Sequence, residues 1–192
     1  RFEDTISEEE ILDEINKINN DSSIHGVIVQ LPLPKHISVT KVLNSIDPSK
    51  DVDGFTPSNV GKLFLGEDTL VSCTPKGIMS ILKSADVNLT GMNVTVIGRS
   101  NIVGKPVSIL CQQQNATVTM CHSKTRDLNA KLADADVIIV AAGVPKFING
   151  DQIPNGAVVV DVGIHNIEGK LCGDVEFKSA SKKASAITPV PG

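Results

Sequence analysis

Four short β-branched runs set the limits on this fold: VTVIG at 94–98, ATVTMC at 116–121, DVIIVA at 136–141 and AVVVDV at 157–162. Runs so apolar predict strands covered on both faces, as in a parallel sheet with helical crossovers. Residues 104–114 and 127–133 supply crossover helices between them, and the class is α/β. A hydrophobic content of 41% over 192 residues is enough for one core or two small ones.

Upstream the texture differs. Ser7 and Glu10 form a capping box, with Ile11, Leu12, Ile15 and Ile18 on one helical face until Asn19-Asn20-Asp21 stops the helix. Val27, Ile28 and Val29 of GVIVQLPLP predict a buried strand closed off by Pro32 and Pro34. A short helix is expected from Ser38 to Ile46, then a turn-rich surface loop, DPSKDVDGFTPSN, at 47–59. Thr74-Pro75 has the hydroxyl and proline of a helix start, continued by GIMSILKSA. The change of texture near 66–74 divides the chain into residues 1–70 and 71–192.

Charge and cysteines exclude some functions. Lys plus Arg number 18 against 22 Asp plus Glu, a net charge of −4 that draws the surface to neither nucleic acid nor membrane. No apolar stretch approaches the ~20 residues of a spanning helix, and no secretory signal opens the chain, so a cytoplasmic location is expected. Cys73, Cys111, Cys121 and Cys172 form no close metal-binding pair and read as reduced thiols packed as small hydrophobes. His25, His36 and His122 show no ligand spacing, so no metal site is expected.

The first run feeds a helix through GRSNIVGKP, a turn with Gly98 and Gly104 but without the usual glycine trio. Such a turn presents backbone N–H groups and a positive helix end to a phosphate, though many glycine turns only reverse the chain. The second run ends where a dinucleotide fold reads the ribose, and an NAD site carries an acid there. Here the residues are His122-Ser123-Lys124-Thr125-Arg126. Taken alone this is equally a solvated basic loop. With Arg99 and Ser100 in the first turn it suits a 2′-phosphate, and NADP is favoured over NAD. Ala142-Gly143 and Gly163-Ile164-His165 follow later strands and should also meet the cofactor. His165 reads as a loop residue, with nothing nearby in sequence to orient it. Gln30 ends a strand ahead of two prolines, and Asp53 precedes Gly54; an amide and a carboxylate suit a heterocycle bearing amino and carbonyl groups, while Asp53 is equally an ordinary turn cap.

QLPLP, KDVDGF, CTPKG, VIGRSNIVGKP, VTMCHSKT, VVVDVGI and TPVPG, in this order, closely resemble the methylenetetrahydrofolate dehydrogenase/methenyltetrahydrofolate cyclohydrolase family over essentially the whole chain. The resemblance implies a Rossmann-type NADP-binding domain, a partial α/β substrate domain, a tetrahydrofolate derivative bound in a cleft between them, and a homodimer acting in one-carbon metabolism and purine biosynthesis. It implies that Gln30 lies beside the catalytic lysine and that Asp53 contacts the pterin. It further implies that Gly98, Arg99 and Ser100 bind phosphate, that Ser123 meets the 2′-phosphate, that Ile164 meets the nicotinamide end and that Thr74 lies near the cofactor; Gly104 and Gly143 complete the cofactor set.

The family's Tyr-x-x-x-Lys motif, with the cyclohydrolase base, is not in this sequence, which has no tyrosine at all. Nor is the glycine-rich loop that follows Pro-Val-Pro-Gly. The chain therefore reads as a piece of a longer protein, with Lys35 and Lys50 near the cleft motifs but neither assigned the base's role. Hydride removal from a carbon between two nitrogens demands no base, whereas hydrolysis gains roughly 10²–10⁴-fold from one. Hydrolysis is thus the activity expected to suffer. An NADP-dependent dehydrogenase of another small substrate, and a noncatalytic NADP-binding fragment, remain as alternatives.

Overall fold

The computed structural model describes residues 2–191; Arg1 and Gly192, the last residue of TPVPG, lie outside them. Two compact units divide at Cys73/Thr74.

The first unit is helical. α1 (Glu8–Asn20) starts in the capping box: Glu10 N donates to Ser7 Oγ at 3.2 Å and Ser7 N donates to Glu10 Oε2 at 2.9 Å. α2 (Val39–Ser45) is tied to it at both ends. Ser38 N and Lys41 Nζ each donate to the Glu8 carboxylate at 2.6 Å, and Asn19 Nδ2 donates to Ser45 O at 2.7 Å. Ile15, Ile37, Val42 and Ile46 form the core between them.

Two expectations fail here. The strand over 27–29 is a single parallel bridge, Val27 to Asp51, held by Val27 N donating to Lys50 O at 2.8 Å. With one bridge and no ladder, Val27 and Val29 pack on the core while Ile28 is 64% exposed. The segment 47–59 is not merely a surface loop either. It ends in α3 (Pro57–Leu65), with Pro57 in its first turn, and it buries Asp51, Thr56 and Asn59.

The second unit is a five-stranded, all-parallel sheet in the order β2-β1-β3-β4-β7. Its strands are β1 (Asn93–Ile97), β2 (Thr117–Cys121), β3 (Val137–Val140), β4 (Val158–Asp161) and β7 (Ala186–Ile187). Strict alternation sends Val94, Val96, Val137, Ile139 and Val160 to one face, against Ile78 and Leu82 of α4 (Cys73–Ser84) and Val107 and Cys111 of α5 (Gly104–Gln113). Ile97, Ile138, Val140 and Val159 face the other way, onto Leu132 of α6 (Leu128–Leu132) and Ala180 of α7 (Phe177–Ala180). Central strands are covered on both faces as predicted, but edge strand β2 is not: only Cys121 is fully buried. The short hairpin of β5 (His165–Ile167) and β6 (Lys170–Cys172), α7 and β7 were not read from the sequence. Cys111 and Cys121 are buried as expected; Cys73 is exposed.

Candidate active site

The chain leaves β1, crosses to β2 on one side and returns to β3 on the other, so the strand order reverses between β1 and β3. Crevices at such reversals, beyond the carboxyl ends of the strands, are where α/β sheets hold ligands. A cleft of about 500 Å³ opens there, lined by Gly98, Arg99 and Ser100 after β1, by His122 and Ser123 after β2, and by Ala142 and its neighbours after β3.

Two glycines make the floor of this cleft possible. Gly98 has φ +129°, and a Cβ there would overlap the Ala141 carbonyl. A Cβ at Gly104, the first residue of α5, would overlap the Gly98 carbonyl. Bare backbone thus brings the start of α5 against the end of β1. The amides of this helix start are less free than the sequence suggests. Val103 N and Gly104 N donate to Ser100 Oγ at 3.1 and 3.3 Å, and Lys105 N donates to Ser100 O at 3.0 Å. Ser100 closes the turn itself.

The basic loop after β2 folds tightly. His122 N donates to Thr125 Oγ1 at 2.8 Å, Thr125 N to His122 O at 2.8 Å, and Lys124 N to His122 Nδ1 at 3.1 Å. Of the charges expected around a 2′-phosphate, Arg99 lines the cleft while Lys124 and Arg126 do not. Thr74, in the first turn of α4, and Ile164, 70% exposed after β4, also lie outside its lining. Gly143 follows Ala142 with φ +69°.

In the first unit Gln30 is exposed, and its Nε2 donates to Leu31 O at 3.1 Å. It lines an apolar groove of about 410 Å³ with Ile11, Ile15 and Ile18 of α1, and Asp53 is not part of that lining. Asp51 organises the loop around Asp53. Burial pushes the Asp51 carboxyl up, but hydrogen bonds outweigh it and leave it below the usual carboxylate range: Thr56 N donates at 2.7 Å and Asn59 Nδ2 at 3.0 Å. Burial, and then the Asp51 charge, push Asp53 upward. Lys50 Nζ donates to Ile18 O, Asn19 O and Asp21 O at 2.6, 2.9 and 2.7 Å, so this ammonium caps the end of α1.

Sequence reasoning missed the partner of His165. Its Nε2 lies 2.7 Å from Asp174 Oδ1, on a carboxylate entirely buried beside the hairpin. Asp161, pushed up by burial, accepts from Asp174 N and Val175 N at 2.9 Å each. The spacing of these residues follows no motif; only the G-D-V turn after β6 could have drawn attention to Asp174.

Residues 72–192 match the family model "Tetrahydrofolate dehydrogenase/cyclohydrolase, NAD(P)-binding domain", and residues 1–53 match the catalytic-domain model of the same name. The chain belongs to the tetrahydrofolate dehydrogenase/cyclohydrolase family. Among curated family members, it is 59% identical over 187 residues to "Bifunctional protein FolD 2" of Geobacter sulfurreducens, covering 97% of this chain and 66% of that protein. It is 54% identical over 193 residues to "Bifunctional protein FolD" of Bacillus subtilis, covering 100% and 68%. The chain thus spans about two thirds of the length of these relatives. The crystal structure of the Campylobacter jejuni bifunctional enzyme FolD superposes with a TM-score of 0.96 at 49% identity, over 98% of this chain and 68% of that one. The Trypanosoma brucei dehydrogenase-cyclohydrolase, complexed with NADP cofactor and inhibitor, gives 0.92 at 38% identity over 98% and 67%. The resemblance read from seven sequence motifs is therefore borne out, as is the α/β class with a family NAD(P)-binding domain.

Proposed function

We propose that this chain carries the NADP-dependent oxidation of 5,10-methylenetetrahydrofolate to 5,10-methenyltetrahydrofolate, and that the protein it represents also hydrolyses that product to 10-formyltetrahydrofolate. The observation that carries the reading is the joint lining of one cleft by Gly98, Arg99, Ser100 and Ser123. Backbone made bare by Gly98 and Gly104 fits a pyrophosphate, and the Arg99 guanidinium fits a 2′-phosphate. When bound, NADP supplies the hydride acceptor. In this reading Arg99 and Ser123 hold the phosphate that distinguishes NADP from NAD, Gly143 and Ile164 border the nicotinamide end, Thr74 lies near the cofactor, and Gln30 and Asp53 serve the folate.

The chain's contribution to oxidation is placement, because the substrate nitrogens stabilise the cation and no proton has to leave with the hydride. Hydrolysis differs. Lys50 is engaged at the end of α1 and Lys35 is exposed, so neither is a desolvated base. Gln30 can orient a base but does not titrate.

The test follows absorbance with purified chain, methylenetetrahydrofolate and NADP or NAD. NADP-dependent formation of the methenyl product is expected, with slow onward hydrolysis. Tight and equal calorimetric uptake of NADP and NAD, or of neither, by a folded sample would falsify the coenzyme assignment.

A homodimer, a cytoplasmic location and a place in one-carbon supply to purine synthesis belong to the same proposal. Exposed Ile167, Leu171 and Phe177 around a second groove support pairing of two copies, which light scattering would read directly. No helix among the described residues is long and apolar enough to cross a membrane.

A further inference from the structure

Asp174 holds two chain segments with one carboxylate. Its Oδ2 accepts from Ala142 N at 2.7 Å and from Gly143 N at 2.8 Å, the two amides that follow β3 at the mouth of the cleft. Its Oδ1 meets His165 Nε2 at 2.7 Å, at the end of the Gly163-Ile164-His165 loop that follows β4. The carboxylate is completely buried, and an ionised carboxylate only accepts, so the proton of a neutral His165 sits on Nε2.

The surroundings are shaped around this arrangement. A Cβ at Gly163 would overlap Asp174 Oδ1, so the β4 loop reaches the carboxylate only as glycine. A Cβ at Gly173 would overlap the Asp161 carboxylate, which must pass there to reach Asp174 N and Val175 N. Asp161 Oδ1 also takes Gly163 N at 3.1 Å. One carboxylate thus fixes the backbone that presents the other. Nothing in hydride transfer asks for a buried acid and a half-buried one braced against each other, and neither lines the cleft. Their common output is the relative placement of residues 142–143 and 163–165.

We infer that Asp174, through His165 and the Ala142 and Gly143 amides, is a positioning residue that sets the two loops bordering the nicotinamide half of the coenzyme. The inference rests on the coenzyme reading proposed above. Ala142 lines the cleft directly, Ile164 is carried on the second loop, and displacement of such groups by an ångström is enough to cost orders of magnitude in rate.

Three variants of the full chain test it: Asp174→Ala, Asp174→Asn and His165→Ala. Asparagine can turn its oxygen to the two amides and its NH₂ to the other tautomer of His165, so Asp174→Asn should keep the tether that Asp174→Ala removes. Calorimetry should find NADP bound about tenfold more weakly by His165→Ala and by Asp174→Ala, and within about twofold of the parent by Asp174→Asn. The fragment 2′,5′-ADP, which lacks the nicotinamide, should bind all three within about twofold. Amide hydrogen exchange in the free protein should accelerate at 142–143 and at 164–166 together in Asp174→Ala. Should Asp174→Ala fail to fold, His165→Ala set against Asp174→Asn carries the comparison.

Unchanged NADP affinity in a folded His165→Ala, or equal weakening of NADP and 2′,5′-ADP, overturns the inference. If the parent chain itself takes up no NADP, the coenzyme reading falls, while coupled exchange at the two loops still decides whether Asp174 tethers them.

Discussion

Gly104 packs against Gly98 so closely that a methyl group on the first would overlap the carbonyl oxygen of the second. This pairing brings the start of α5 onto the end of β1 and shapes the cleft floor. Gly104→Ala should therefore lower stability by about 1–3 kcal/mol and weaken NADP binding in the molecules that remain folded. Thermal unfolding and calorimetry on one preparation measure both effects. A variant with parental stability and affinity would show that the helix start tolerates a side chain.

Arg99 is the cation that lines the cleft, and charge-assisted hydrogen bonds contribute about 1.5–3 kcal/mol. Arg99→Ala should accordingly weaken NADP by roughly 10–100-fold while leaving NAD nearly unchanged. Competition binding with the two coenzymes gives the ratio, and parallel losses for both would remove Arg99 from 2′-phosphate recognition.

Lys50→Met tests the difference between a structural and a catalytic ammonium. With three helix-end carbonyls losing their donor, the first unit should lose about 1–2 kcal/mol. Hydrolysis of methenyltetrahydrofolate per folded molecule should not change. A selective loss of hydrolysis would return Lys50 to the chemistry.

Acid should act on the first unit through Asp51, whose carboxyl is held below its ordinary value of 3.8 by hydrogen bonds that exceed the cost of burial. A depressed acid contributes stability above its unfolded value, so that contribution fades as pH falls below about 3.9 and through the folded value. Asp53 and Asp161 are shifted upward and act oppositely: their stabilising share is present below 3.8 and is lost as pH rises through their folded values. Asp51→Asn should flatten the acid limb of an unfolding curve for the first unit and cost about 1–3 kcal/mol at neutral pH. An acid limb unaltered by the substitution would point to other carboxyls.

The parts of the fold visible in sequence were those governed by local periodicity. VTVI, VIIV and VVV are apolar at nearly every position because both faces of the sheet are covered, and Ser7 with Glu10 encodes the start of α1 within four residues. What escaped depends on partners far along the chain. Val27–Val29 carries a strand's composition but pairs at one position only. α3 hides behind a run of Asp, Pro and Gly whose turn signals are genuine. Asp161, His165 and Asp174 acquire meaning when the β5–β6 hairpin turns back on the sheet, an arrangement that no spacing records.

β2 ends the sheet, bonded to β1 alone and facing solvent along most of its length. The tip that follows it, His122 to Arg126, can therefore exchange side chains with little mechanical consequence for the rest of the barrel-free scaffold. On the coenzyme reading proposed above, preference between phosphorylated and plain dinucleotides can then change at this tip without disturbing the sheet, whereas the glycine-to-glycine seam between β1 and α5 has no room for a side chain.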